Sequence, residues 1–339
     1  MKLTMKKSGL FASGAMVFSL FHACYSLAHH SHSTLDREDV RVLTGTVTKY
    51  GWQMPHVFLK VMAPNREGMI VEYSIEMGNP PSMARQGWGK DTLKEGDVIT
   101  WQGAHDKNKN RAYASASWIE KDGVRIGTEN GVDTTVSPSS DFTGVWTRDD
   151  PGGFNPHYLP PADWPYSELA RGQVAAFSEE SNPMLECIDP GPPKSTIIPY
   201  PHIISRPDPS TILIERDLHP TPRLVHLDRN SPAGEPGVMG HSVGWFEGDV
   251  LVVETTNFVA DRWGSHTGVD SSDQKHLMER YSLINEGMGL MVEITLTDPV
   301  YLTEPVTFKH YWKKLGDRAL VEAPCTLEAS QLWLEGGYQ

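Results

Sequence analysis

The stretch "GHSVGWFEGDVLVVETTNF", residues 240–258, joins two alternating apolar runs through Glu-Gly-Asp, yet carries His241, Glu254 and Asn257. A two-residue loop, Glu247-Gly248 or Gly248-Asp249, puts odd positions of the first strand on the face of even positions of the second. His241, Val243 and Trp245 then share a face with Val250, Val252, Glu254 and Thr256. His241 lies opposite Glu254 in the first register and diagonal to it in the second; a three-residue loop would part them. On so apolar a face an imidazole and a carboxylate are costly to desolvate unless they bond each other. That bond raises the imidazole pKa and orients one ring nitrogen, as a general acid or base requires. A structural pair tying two strands together accounts for the same residues. Trp245 and Thr256 are the substrate-contact candidates of this face.

"SDQKHLMER" supplies a second set. As a strand it puts His276 and Arg280 on one face and Leu277, Glu279 and Tyr281 on the other. His276 becomes a second acid/base candidate and Arg280 a substrate contact, against the plainer reading of two exposed edge residues. "TILIERD" sets Glu215 with Thr211 and Leu213, and Arg216 with Ile212 and Ile214, as ion-pair or rim residues. "GHSVG" has the letters of a nucleophile elbow, but a second strand follows where a helix is needed, and neighbouring strand residues face opposite ways. Ser242 is therefore set aside as a nucleophile.

These residues need strands to hold them, and the sequence provides two blocks. "VRVLTGTVTKYGW", "HVFLKVMA", "MIVEYSIEM" and "DVITWQGA" alternate within residues 39–125, with one short helix around "PSMARQGW". Four or five short strands and a helix predict a small OB-like barrel. Residues 126–140, "IGTENGVDTTVSPSS", read as a linker. From 141 to 339, "TILIERD", "RLVHLD", "HSVGWF", "VLVVETTNF", "HLMERYSLI", "LMVEITLTD" and "VTFKHYWKKL" follow a Pro-rich stretch. Antiparallel strands at this spacing predict a larger, lipocalin-like β-barrel around a small-molecule cavity, so the fold class is all-β.

Lys2, Lys6 and Lys7, the apolar "GLFASGAMVFSLF" and then "SLA" have the order of a signal peptide over residues 1–28, cleaved after Ala28. A periplasmic location follows, and no later window is apolar enough for a membrane span. The formal charge of −13 falls to −16 with the three lysines gone, which disfavours nucleic acid and anionic membranes as partners. Cys187 and Cys325 then remain. In an oxidising compartment they read first as a disulfide, with free thiols or a metal pair as the rival. Cleavage would leave residues 29–38 as a His-rich terminus whose free amine, His29, His30 and His32 lie within reach of one metal ion, with His56 and His105 as further ligands. Copper(II) suits so nitrogen-rich a set. The competing reading is a terminus that binds metal only adventitiously.

"PYPHII", "GHSVGWFEGDVLVVET" and "SDQKHLMER", with the Gly144-Val145-Trp146 opening, make the second block resemble a widespread uncharacterised family of secreted bacterial proteins. "AHHSHS", "LTGTVTKYGWQMPH" and "RQGWGKDTLKEGD" make the first resemble another uncharacterised periplasmic family. Gly144-Val145-Trp146 also resembles the opening of lipocalin-like barrels. The resemblances span nearly all of the chain after residue 28 and imply no activity. Three function classes follow from the residues. The first is an exported enzyme doing general acid/base chemistry, as an isomerase, lyase or hydrolase, on a mostly apolar or amphipathic small molecule. It requires no cofactor. The second is a carrier using the same cavity, and the third a periplasmic copper-binding protein. The sequence leaves the oligomeric state open.

Overall fold

The computed structural model describes residues 34–127, 136–149, 159–218 and 221–334. The expected signal peptide, His29, His30, His32 and residues 128–135 of the linker lie outside them.

In the first block the alternating stretches form β1 (Leu35–Gly51), β2 (Phe58–Pro64), β3 (Ile70–Glu76), β4 (Val98–Asp106), β5 (Tyr113–Lys121) and β6 (Val124–Ile126), with α1 (Pro80–Ala84) between β3 and β4. Two prolines suit the first turn of α1, and Asn79 caps it by accepting from the Ser82 N–H at 2.9 Å. The strand order is β3-β2-β1-β4-β5-β6, and β3 also pairs in parallel with β5. Every second residue turns inward, so Val47, Leu59, Val61, Tyr73, Ile75, Ile99, Trp101 and Ile119 make one core.

The second block contains β7 (Gly144–Arg148), α2 (Glu168–Ala175), α3 (Lys194–Ile197), β8 (His202–Asp208), β9 (Thr211–Arg216), β10 (Arg223–His226), β11 (His241–Glu247), β12 (Val250–Thr256), β13 (Asp261–His266), β14 (Val269–Ser271), β15 (His276–Ile284), β16 (Gly289–Thr297), β17 (Val306–Leu315) and α4 (Leu327–Gln331). Nine strands close a barrel in the order β10-β11-β12-β15-β16-β17-β7-β8-β9, while β13 and β14 form a separate hairpin. The all-β expectation holds, but the barrel is mixed rather than antiparallel throughout, because β10 runs parallel to β11. Its cause lies in residues 227–240, "LDRNSPAGEPGVMG": a long Pro- and Gly-bearing connection carries the chain back so that β11 starts at the same end as β10.

Leu251, Val253, Leu277, Tyr281, Leu290, Val292, Ile294 and Leu296 face the barrel core. One end is filled by Phe142 and Trp146, whose indole N–H donates to the Phe142 carbonyl at 2.9 Å. The other end is stopped by the segment Pro190–Ile198, buried at every residue and including α3.

The last stretch of the chain reaches back to the first block. After β17 it leaves the barrel and packs on the first block: Met54 N–H donates to the Pro324 carbonyl at 2.9 Å, and Leu332 and Ala329 join Leu35, Phe58 and Tyr113 in one apolar cluster. Cys187 and Cys325 are joined, with an S–S distance of 2.02 Å. Among the described residues no helix is long and apolar enough to cross a membrane.

Candidate active site

The hairpin of β11 and β12 has its two-residue loop at Gly248-Asp249, so Val243 pairs with Glu254 and His241 with Thr256. His241 is thus diagonal to Glu254 and bonds elsewhere: its Nε2 lies 3.0 Å from the Ser231 carbonyl, and its ring stacks on His226 at 5.2 Å. Glu254 meets His276 instead, with Oε1 2.8 Å from Nε2 and side chains 41% and 37% exposed. The shared face is the outside of the barrel. Trp245 donates to Glu247 at 3.0 Å, Arg280 bonds the same carboxylate at 2.8 Å, and Thr256 is exposed. His241, Glu254, His276, Trp245, Thr256 and Arg280 therefore share one face, as strand alternation predicts, and that face lies outside the barrel rather than toward its interior.

The opposite face carries a buried charge. Arg223, from β10, makes two bonds to Glu279, from β15, with its Nη1 3.1 Å from Oε1. The same guanidinium donates to Ser242 Oγ at 3.0 Å and Thr255 Oγ1 at 2.7 Å, while Tyr281 donates to Glu279 at 3.1 Å. Burial alone would push the guanidinium pKa down; the Glu279 charge outweighs it and holds the group above its ordinary value. So complete a set of partners fastens four strands, β10, β11, β12 and β15, across the barrel. Thr196 of α3 also donates to Glu279 at 3.3 Å, and His202 Nε2 lies 3.0 Å from the Ser195 carbonyl, so the inserted segment is keyed to the barrel interior.

Two lysines are buried at this end, where lysine is seldom found without compensation. Lys275 is fixed: its Nζ donates to the carbonyls of Pro192 at 2.9 Å and Gly264 at 3.5 Å, and it sits 4.2 Å from the Phe258 ring centroid. Lys194, 7% exposed, donates to Thr267 Oγ1. Burial pushes its amine down to about 8, against the opposing pull of Glu179, whose own carboxyl burial pushes up to about 8. Ser265, His266 and Thr267 are all buried, and the His266 ring lies 5.2 Å from Trp164, which in turn lies 5.5 Å from Phe308. The hairpin bearing them is held under strain. Trp263 has a φ of +55°, fixed by its N–H donating to Asp270 Oδ1 at 2.9 Å and by packing on Phe177 at 5.6 Å. Lys194, Glu179 and His266 are thus three ionisable residues of the segments gathered at the stopped end of the barrel. None of the three was a sequence candidate. "PGPPKSTII" reads as a Pro-rich loop; its only signal is a lysine set between prolines and an apolar run.

In the first block His56 Nδ1 lies 2.9 Å from Glu76 Oε1, and Tyr113 donates to Glu76 Oε2 at 2.7 Å. Burial opposes protonation of His56, but the Glu76 charge and bond outweigh it and raise the imidazole above its ordinary value. His105 is buried between Tyr73 and Trp101, and burial pushes it down to about 4. Neither histidine joins a metal-binding group: among the described residues no three His, Cys, Asp or Glu side chains are grouped to hold an ion.

The fold and site define an all-β protein in which a small sheet module accompanies a closed barrel with ionisable groups buried at one end. Residues 18–114 match a family of unknown function (DUF6152). No curated protein matches the chain.

Proposed function

We propose that the protein is an exported enzyme doing general acid/base chemistry on a mostly apolar small molecule at the stopped end of the larger barrel. The observation that carries this reading is the burial of Lys194, bonded to Thr267 and within the field of Glu179. Proton transfer is fastest when donor and acceptor pKa values lie near the working pH, and burial moves both groups that way. The Trp164, His266 and Phe308 rings packed on one another at this end favour an apolar substrate. Export and a periplasmic location draw support from the Cys187–Cys325 disulfide, a bond that persists in oxidising compartments. The ring of pairings β1-β2-β3-β5-β4 supports an OB-like reading of the small module, and the match over residues 18–114 is consistent with a family module there. The lipocalin-like reading of the barrel rests on its closure alone.

Native mass spectrometry of protein purified from the periplasm tests the proposal. The expected result is a retained apolar molecule, released on denaturation and lost in Trp164→Ala. On incubation with fresh ligand the wild type converts it and Glu179→Gln does not. A ligand held but never converted would make the protein a carrier. No ligand at all would end both readings.

A further inference from the structure

The strap of chain that follows β17, residues 316–332, grips both ends of the buried segment Pro190–Ile198. Its root is tied just past β9, where Asp217 accepts from the Val321 N–H at 2.7 Å and from Arg318. Further on it runs beside Met54: the Met54 N–H donates to the Pro324 carbonyl at 2.9 Å, and the Thr326 N–H returns to the Met54 carbonyl at 3.4 Å. Met54 is itself fully buried against Ile198, Tyr200 and Leu218, at the far end of the segment. At the near end Cys325 is bonded to Cys187, just ahead of Pro190, and Ser330 and Gln331 both donate to the Leu185 carbonyl, at 2.7 and 3.1 Å. The strap also seats the small module, for Thr326 donates to Gln53 at 2.6 Å, Glu328 accepts from Lys49 at 2.7 Å, and Ala329 and Leu332 pack on Leu35, Phe58 and Tyr113.

The sulfur bridge is the covalent part of this clasp, and it is open to attack. Cys187 and Cys325 are each only partly buried, and accessible bridges are the labile, regulatory kind. Cys187 also closes the turn Pro183–Glu186 at a φ of +57°, a left-handed conformation where glycine is usual. Once its sulfur is free, that backbone can relax to an ordinary one. We infer that the strap is a redox-released latch: the joined cysteines hold Pro190–Ile198 and the small module in their seats at the barrel end, and a dithiol reductant frees them. The latch is independent of the chemistry assigned to that end. One thiolate of the dithiol attacks a sulfur of the bridge, and the other cysteine leaves as a thiolate and takes up a proton. The second thiol of the reductant then attacks the reductant's own sulfur in the mixed disulfide and expels the remaining cysteine. The protein gains two thiols and the dithiol is oxidised to a disulfide. What is left, hydrogen bonds that water can replace and one apolar cluster, must then order the strap against its chain entropy.

The test is hydrogen exchange of the full-length protein, read peptide by peptide by mass spectrometry before and after dithiothreitol at neutral pH without denaturant. The expected result is that both cysteines become reducible in the folded protein and that peptides covering residues 190–198 and 318–332 exchange at least about tenfold faster. Peptides of β15 and β16 stay protected over the same interval, and re-oxidation restores the original pattern. The double variant Cys187→Ser with Cys325→Ser shows the fast pattern without reductant; should it fold poorly, the reduced wild type decides. A bridge that dithiothreitol reaches only in denaturant overturns the latch. So does reduction that leaves both peptides as slow as before, or that loosens the strap and not residues 190–198. Exchange that rises equally in β15 and β16 overturns it as well, and makes the bridge a staple of the whole fold.

Discussion

Replacing Glu279 by Gln keeps the side-chain volume and removes the charge that faces Arg223. In the folded barrel Arg223 is 3% exposed and Glu279 is fully buried, and two of the guanidinium's bonds go to that carboxylate. Ser242 and Thr255 would remain as partners, but both are neutral and already bond each other at 2.9 Å. Leaving a buried cation without its counter-charge costs about 3–5 kcal/mol. The amide oxygen can keep one of the two bonds; the other, charge-assisted, is lost at about 1.5–3 kcal/mol. The double variant Arg223→Met with Glu279→Leu should recover most of the loss, since desolvating the pair offsets much of its attraction. Urea unfolding followed by tryptophan fluorescence and far-ultraviolet circular dichroism measures each variant. A Glu279→Gln protein within about 1 kcal/mol of wild type would refute the electrostatic argument. A double variant no better than the single one would assign the loss to packing instead.

Acid should destabilise the protein early. Burial holds His105 at about 4 and His202 at about 3, both below the ordinary 6.5, so the unfolded chain takes up protons first as pH falls below 6.5. The stability is complete above that pH and drains away toward pH 4, by about 3 kcal/mol for His105 alone; urea midpoints at pH 7, 5.5 and 4.5 should fall, and His105→Gln should flatten the slope. Unreduced, denatured protein should show no labelling of Cys187 or Cys325, and the double serine variant should lose about 5 kcal/mol if chain entropy governs the loop. Glu254→Gln should change the unfolding free energy by less than about 1 kcal/mol in urea titrations and leave ligand retention unchanged, because its pair with His276 is half exposed. Gly191→Ala should cost about 1–3 kcal/mol and lower ligand retention, since a Cβ there would stand 1.9 Å from the Val238 carbonyl oxygen; an unchanged melting temperature would show that the segment is not tightly seated.

Much of the scaffold was legible from alternation alone. The strands in "TILIERD", "HSVGWF", "HLMERYSLI" and "VTFKHYWKKL" are where period two puts them, and Glu279 shares its face with Leu277 and Tyr281. Inside and outside were not legible on β12, because Val250, Leu251, Val252 and Val253 are all apolar and period two cannot rank two apolar faces. Closure decides it: Leu251 and Val253 fill the barrel, while Val252 is covered on the outside between its strand partners Trp245 and Arg280. The disulfide was legible by compartment and elimination. The Lys194 region was not, because Pro190–Ile198 has no strand or helix period, and a lysine in a Pro-rich segment looks solvated. Only the closed barrel end, which the segment fills, buries it.

The disulfide spans 138 positions of sequence, and β8 to β17 all lie between its two cysteines. Covalently, the inserted Pro-rich segment and nearly the whole barrel form one ring, from which the small module and β7 emerge on the Cys187 side and α4 on the Cys325 side. A protease that cuts any exposed turn within that ring opens it without detaching anything. The two pieces stay joined through sulfur and through the strand pairings on either side of the cut. In a compartment rich in proteases such a chain can be nicked and still persist as one particle. Its fragments would part on a gel only after reduction.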